Sequence, residues 1–445
     1  MSSFGKKLGR LPPLRDTPRE GSSRAPLEPS PEPARDEAEP RPSESPLEQL
    51  RAKLAAAMGA REPVARPALS PSIALDELFA KERTSTGELH VAARAIAPGH
   101  RVGAASLASA RDADPHLLAL LALDPALAGC DLRRALYLDT ETTGLAGGTG
   151  TVPFLIGLAY LDPEADRFVS EQLFVPALGE EGEVLDRLAE RVAACDLLVT
   201  FNGKAFDLPL VRARLVMNRR PALPHRPHLD LLHVARRLHK HRLGRCTLTR
   251  IEAHVLGFER VGDVEGAEIA SIYLHFLRTG DASALEPVVV HNALDVATMV
   301  ALVGMYGEPL DGWLAGSALT GSDAAAAADV ARRAGDLEVA ARLAHGGVER
   351  GAGALGFAAR ARVAKARGDK ARALADYADA LAELDRAADD AGSARVRLEL
   401  AKLYEHHARD YASALALVVA GTSEAEPRRA VREARVRRKL GGNRR

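Results

Sequence analysis

The segment Ala135-Leu136-Tyr137-Leu138-Asp139-Thr140-Glu141-Thr142-Thr143-Gly144 ends a short apolar run on two carboxylates. Read as a strand, it puts Asp139 and Glu141 on one face, because strand side chains alternate with period two. Two adjacent carboxylates repel each other, and a cation between them removes that cost. Mg2+ and Mn2+ prefer oxygen ligands, so divalent-metal chemistry is what this pair invites. The bland alternative is a solvated strand end. A third carboxylate, Asp207, closes Phe201-Asn202-Gly203-Lys204-Ala205-Phe206-Asp207. Taken alone it reads as a helix N-cap, a common place for Asp. Further on, His291 and Asp295 stand four residues apart, one turn apart on one helix face. Flanked by Val288-Val289-Val290 and Val296-Ala297, this polar face would be costly if merely buried, so it points at a site. A satisfied surface pair is its alternative.

These residues need elements to hold them. Strands are expected at 135–144, 154–161 and 167–175, a helix at 182–195, a buried strand at 196–202 and a helix at 206–218 with Pro209 in its first turn. A short strand passes into a helix at 228–238, with Asp230 read as the helix cap, and a long helix covers 288–306. Upstream, 87–96 reads as a strand and 113–128 as a helix capped by Asp114. The pattern predicts an α/β fold with a mixed sheet flanked by helices.

After Gly316 the chain is Ala-rich and helical. Gly335-Asp336, Gly368-Asp369 and Arg409-Asp410 mark three turns, and the first two lie 33 residues apart. That is close to the tetratricopeptide period of ~34. An Ala-rich bundle without repeat geometry is the alternative. At the other end, residues 1–70 are rich in Pro, Ser, Arg and Glu and are expected to be disordered, with a short helix at 46–58.

Composition narrows the function less than the motifs do. The 445 residues carry 60 Lys plus Arg against 60 Asp plus Glu, which speaks against an all-over basic nucleic-acid binder but not against local basic patches. Aromatics are 4% with one tryptophan, Trp313, which argues against a base-stacking platform along the chain. No run approaches the ~20 apolar residues of a membrane span, and no apolar leader is visible. Cys130, Cys195 and Cys246 lack metal-ligand spacing and read as free thiols, so a cytoplasmic location is expected. Charge is nevertheless uneven. From Arg212 to Arg245 the only acid is Asp230, amid ten basic residues and five histidines. This stretch reads equally as a groove tracking phosphates and as solvated helix faces. A second basic run, from Arg428 to Arg445, has the same two readings. The glycine-rich 146–151 segment lacks the Lys of a phosphate-binding P-loop and reads as a mobile loop over a substrate.

Together, Leu138-Asp139-Thr140-Glu141-Thr142-Thr143-Gly144-Leu145, the Phe201–Val211 segment and His291-Asn292-Ala293-Leu294-Asp295-Val296 resemble the three motifs of the DEDD exonucleases of the ribonuclease H-like superfamily. The resemblance is closest to the YprB-like branch, whose members also end in tetratricopeptide-like helices. It covers roughly residues 85 to 305, and the helical tail by architecture. It implies a ribonuclease H-like mixed-sheet domain over 133–312, an extension packed on it over 71–132, and a tetratricopeptide-like domain over 318–440. It further implies a 3′–5′ exonuclease acting on DNA or RNA with two divalent cations, Mg2+ or Mn2+. By resemblance, Asp139 bridges both ions, Glu141 and Asp295 complete one site, Asp207 holds the other, and His291 orients or deprotonates the water. The third motif departs from both main patterns, Tyr-x-x-x-Asp and His-x-x-x-x-Asp, since His291 takes the Tyr spacing. Expected nucleic-acid contacts are Thr142, Asn202, Gly203, Lys204, Arg212 and Arg236. A protein partner on the helical repeats and no membrane complete the expectation. Two other functions fit the residues: a nuclease-like binding module without turnover, and a structure-selective endonuclease.

Overall fold

The computed structural model describes residues 73–442 apart from 98, 145–149 and 317–318. The head expected to be disordered, its short helix and most of the glycine-rich loop lie outside the described residues.

The expected strands and helices appear in the expected order, joined by others that the sequence does not announce. They are α1 Leu75–Leu78, β1 Ala80–Arg83, β2 Glu88–Ala95, β3 Arg101–Val102, β4 Ala105–Ser106, α2 Pro115–Ala122, β5 Ala135–Thr142, β6 Pro153–Asp162 and β7 Arg167–Phe174. Then come α3 Gly182–Ala194, β8 Leu197–Thr200, α4 Asp207–Met217, β9 His228–Asp230, α5 Leu231–Leu243, α6 Leu248–Ile251, α7 Gly266–Thr279 and α8 Leu285–Tyr306. The helix expected over 113–128 is shorter: Asp114 caps it, but Leu123 turns left-handed and a 3-10 turn follows over Pro125–Gly129. A second Asp-Pro pair, Asp124-Pro125, starts that new turn, with Asp124 accepting from the Ala126 N–H.

Seven strands join in the order β1-β2-β7-β6-β5-β8-β9. β5 pairs antiparallel with β6 and parallel with β8, which pairs parallel with β9, so the sheet is mixed as expected. β5 and β6 are apolar almost throughout because helices cover them on both faces. The 71–132 segment is more than a cover. β2 pairs with β7 over His90–Ala95, so this segment adds a strand to the sheet as well as packing Leu107, Leu117, Leu118 and Leu121 into the shared core.

α8 lies in the middle of the molecule. Contrary to expectation, its 22 residues are long and apolar enough to cross a bilayer. Most of that stretch is buried inside the protein, and Met299, Val300, Ala301, Leu302 and Val303 are fully enclosed. A helix packed on all sides is apolar on all sides. The interruption is at His291, Asn292 and Asp295, where the helix crosses the end of β5.

The tail comprises α9 Leu310–Ala315, α10 Gly321–Ala334, α11 Leu337–Glu349, α12 Gly353–Ala366, α13 Lys370–Arg386, α14 Asp390–Leu403, α15 Tyr411–Val419 and α16 Glu426–Gly442. The three expected turns share one geometry. Gly335, Gly368 and Arg409 have φ of 91°, 87° and 56°, and the Asp after each caps the next helix through the N–H of Val339, Arg372 or Ser413. Arg409 holds a conformation that suits glycine, so the third turn keeps the shape without the residue.

The tail is tied to the sheet domain by a buried polar cluster. His239 of α5 sets Nδ1 2.8 Å from Asp323 Oδ1 of α10 and Nε2 3.0 Å from the Tyr306 hydroxyl of α8. Arg242 donates to both Asp323 oxygens, at 3.0 and 3.1 Å. The hydrogen bonds from His239 and Arg242 hold the Asp323 carboxyl well below the usual range despite its burial.

Several basic residues of the 212–245 stretch serve neither a groove nor a solvated face. Arg214 is buried against Glu181, Arg220 pairs with Asp186, Arg226 caps carbonyls of α3, and Arg237 donates to Leu121 O. Much of the charge is therefore structural. The C-terminal run is similar: Arg432, Arg435 and Lys439 converge on Glu405, and against its burial the hydrogen bonds from Arg435 and Lys439 pull its carboxyl down to about 2. Cys130, Cys195 and Cys246 are free thiols, as expected.

Candidate active site

β5 delivers Asp139 and Glu141 to one face at its C-terminal end, and α8 crosses that face. The crossing is close because Gly157 lies opposite Asp139 on β6. A Cβ at residue 157 would stand 1.9 Å from Asn292 Oδ1, so only glycine admits the Asn292 side chain. Asn292 is fully buried and its Nδ2 donates to Asp139 Oδ2 at 3.0 Å. Sequence reading passed over both residues. Asn292 sat beside His291 in the motif, while nothing local marks Gly157.

His291, directly before Asn292 on α8, and Asp295, one turn after His291, both approach Glu141. His291 Nε2 is 4.0 Å from Glu141 Oε1 and 3.7 Å from Asp295 Oδ2. One ligand atom from each of these three residues lies within 4.8 Å of the others. Glu141 Oε1 is buried and has no hydrogen-bond partner among the described residues. A buried carboxylate oxygen without a donor is costly, and a cation at that point satisfies it.

Asp207 arrives separately. It is the first residue of α4 rather than its cap, which is Phe206. The Thr140 hydroxyl, on the opposite face of β5 from Asp139, donates to Asp207 Oδ1. The loop before α4 is shaped by Asp230, whose two oxygens accept from the Asn202 and Lys204 N–H groups at 2.8 and 3.1 Å. Asp230 also caps α5 through Leu232 N–H, as expected. Asn202 takes φ of 75°, and a Cβ on Gly203 would meet Thr200 at 2.6 Å. The loop is thus built to put Asp207 at the strand end.

Charge repulsion is written into the carboxyl groups. Burial, then Asp295, Glu141 and Asp207, push the Asp139 carboxyl well above its ordinary range. Burial raises Glu141 to about 7, with His291 opposing and Asp295 adding to the rise. Burial raises Asp207 to about 6 against the Thr140 hydrogen bond. The donor set fits a cation: oxygen ligands, one nitrogen, and negative charge whose repulsion a cation would relieve.

Two residues that the sequence did not flag frame the other side. Arg260 pairs with Glu252, Asp263 and Asp295. Asp263 places its two oxygens 2.8 and 2.9 Å from His291 Nδ1. Both sit between the π-turn at Glu252–Leu256 and α7, in a loop whose polar residues show no spacing that points to a site.

The expected nucleic-acid contacts scatter. Thr142 donates to Gly144 O beside the site. Lys204 and Arg212 line a cavity of about 500 Å3 together with His225, Arg226 and His228. Arg236 lies on exposed α5 surface, where with Lys240, Arg242 and Arg250 it acts on the Cys246 thiol.

Residues 136–306 match the family model of the RNase_H superfamily. An uncharacterized protein of Bacillus subtilis (strain 168), YprB, is 39% identical over 176 residues, which are 39% of this chain and 42% of that protein. The chain therefore spans less than half of the relative's length. A family B DNA polymerase from the archaeon Pyrobaculum calidifontis aligns with 45% of this chain and 29% of its own, at 16% identity and a TM-score of 0.30. The mixed-sheet domain is RNase H-like, and a helical region follows it.

Proposed function

We propose that the protein is a metal-dependent nuclease, and specifically a 3′–5′ exonuclease of the DEDD type. The observation that carries this reading is the convergence of Asp139, Glu141 and Asp295, with Asp207 beside them, at the end of β5 in an RNase H-like domain. Four carboxylates from three elements are costly to gather there, since like charges at close range repel and burial adds to the cost. Two divalent cations bound at this point would lower the pKa of an attacking water and neutralise charge on the phosphate and the leaving oxygen.

The chain's own residues supply the rest. Asp139 and Glu141 stand on a rigid central strand, so their spacing is set by the pleat. Asn292 holds one Asp139 oxygen by a hydrogen bond. Thr140 fixes the rotamer of Asp207 from the far side of the strand. Lys204 and Arg212, exposed next to the second motif, provide positive charge for a phosphate backbone. The helical tail, read as tetratricopeptide-like, offers a surface for a protein partner.

The test is direct. Purified protein is incubated with Mn2+ or Mg2+ and end-labelled single- and double-stranded DNA and RNA, beside Asp139→Ala. A ladder shortening from the 3′ end, lost in the variant by several orders of magnitude, supports the proposal. Discrete internal products identify an endonuclease instead. No metal-dependent cleavage of any substrate leaves a binding module.

A further inference from the structure

We infer that His291 is itself a metal ligand, holding with Glu141 and Asp295 a cation of the Mn2+ type ahead of Mg2+. This deepens the proposed function and rests on its reading of the carboxylates as a metal centre. The inference begins with the two ring nitrogens, which have different surroundings. Nδ1 faces both Asp263 oxygens, at 2.8 and 2.9 Å, while Arg260 Nη1 stands 3.3 Å from Nδ1 and 3.2 Å from Asp263 Oδ2. The shorter contacts decide the tautomer: Nδ1–H donates to Asp263, and Arg260 donates to the same carboxylate. Nε2 is then the ring nitrogen left for a proton or, in its place, a cation.

That nitrogen has one direction to serve. It faces Glu141 Oε1 at 4.0 Å and Asp295 Oδ2 at 3.7 Å, two atoms that cannot donate when ionised. A bare nitrogen facing two carboxylate oxygens is repulsive unless a proton or a cation lies between them. Two ligands that each bind one ion at ~2.1 Å stand at most ~4.2 Å apart, and both distances fall within that limit. Glu141 Oε1, buried and without a hydrogen-bond partner among the described residues, is the independent sign that something else belongs there. Asp295 keeps Oδ2 free for it because Arg260 takes Oδ1.

The surroundings repeat the usual support for a metal-bound histidine, whose second nitrogen donates to a carboxylate that fixes its tautomer and raises its basicity. Asp263 has that position. The consequence is selectivity. Imidazole nitrogen suits transition cations, whereas Mg2+ favours oxygen and retained water. A site of two carboxylates and one imidazole binds Mn2+ more tightly than an all-oxygen site of the same charge. The same geometry accounts for the departure of the third motif. With His291 one helical turn before Asp295, the two side chains fall on one face and share one ion.

Pulsed electron paramagnetic resonance of full-length protein loaded with one equivalent of Mn2+ tests this. Protein carrying 15N only in histidine is compared with unlabelled protein. A directly bound imidazole nitrogen, with a coupling that switches from 14N to 15N on labelling, is expected, and His291→Ala should remove it. Isothermal titration should show Mn2+ affinity falling at least tenfold in His291→Ala, with Mg2+ affinity changed less. Asp263→Asn, which retains a polar partner for Nδ1, should weaken Mn2+ binding by about 10- to 100-fold, and it keeps the test open if His291→Ala does not fold. Mn2+ binding without a histidine coupling, or with one that survives His291→Ala, overturns the inference while leaving the nuclease reading intact. Histidine-coupled Mn2+ with no cleavage of any nucleic acid supports the inference and removes the nuclease reading. Failure to bind Mn2+ at all overturns both.

Discussion

Gly157 and Asn292 occupy one another's space: the Cβ that residue 157 lacks would lie 1.9 Å from Asn292 Oδ1. This contact sets how closely α8 approaches β5, and so whether His291 and Asp295 reach Glu141. Gly157→Ala is expected to destabilise the protein by about 1–3 kcal/mol, the usual cost of overpacking a core. It should also weaken metal binding by displacing Asn292 from Asp139. Urea denaturation and Mn2+ titration check both effects. A variant with unchanged stability and unchanged affinity would show that the crossing tolerates a wider gap.

The raised carboxyls predict an unusual pH dependence for metal-free protein. Glu141 moves from an ordinary 4.5 to about 7, and Asp207 from 3.8 to about 6. Raised acids bind protons more tightly in the folded state, so their contribution is full below the ordinary values and is lost as pH rises toward 7. Metal-free Tm should therefore fall between pH 5 and pH 7.5. The depressed carboxyls of Asp323 and Glu405 act in the opposite sense, but at pH values below their ordinary range. A divalent cation at 100 times its Kd adds about 2.7 kcal/mol and should flatten the fall. Asp139→Asn should raise metal-free Tm at pH 7.5 by relieving repulsion. Calorimetry in EDTA and in Mn2+ reads all three, and a metal-free Tm that climbs across this interval contradicts the account.

Arg260 is the counter-charge of the site. It pairs with Glu252, which is 1% exposed and also accepts from the Thr298 hydroxyl at 2.6 Å. Arg260→Met leaves that carboxylate buried without its cation, at a cost of about 3–5 kcal/mol. The double variant Arg260→Met, Glu252→Gln should recover much of the loss. Chemical denaturation of the two single variants and the double variant measures it. A loss under about 1 kcal/mol in Arg260→Met would mean that solvent reaches Glu252.

Arg212 and Arg214 separate binding from folding within one basic stretch. Arg214 is buried against Glu181, so Arg214→Ala should lower stability by about 3–5 kcal/mol. Arg212 is exposed beside Lys204, so Arg212→Ala should leave stability nearly unchanged. It should weaken nucleic-acid binding evenly across sequences and reduce the slope of log K against log salt by about 1. Filter binding at several salt concentrations decides it. An unchanged slope would remove Arg212 from the phosphate path.

Much of the architecture was legible because short-range rules govern it. Alternation put Asp139 and Glu141 on one face, and β5 bears this out. The spacing of His291 and Asp295 put them on one helix face, and α8 keeps them there. Asp114, Asp230 and the three Asp residues of the tail turns cap the helices that follow them, since capping depends only on local backbone donors. The single-residue reading of Asp207 as a cap failed because Thr140, 67 residues away, takes its carboxylate instead.

What the amino-acid sequence determined alone was therefore the order of the elements and the faces on which the carboxylates stand, because those follow from periods of two and 3.6 residues. Tertiary structure decided which of those faces meet. Only the fold brings Gly157 opposite Asp139, Asp263 against His291, and Arg260 among three carboxylates. It also turns much of a basic stretch inward, to neutralise Glu181 and Asp323 instead of phosphate. Charges carry no period along the chain. Their partners are set by contacts across it, and a lone arginine in a loop looks the same whether it will face water or a buried acid.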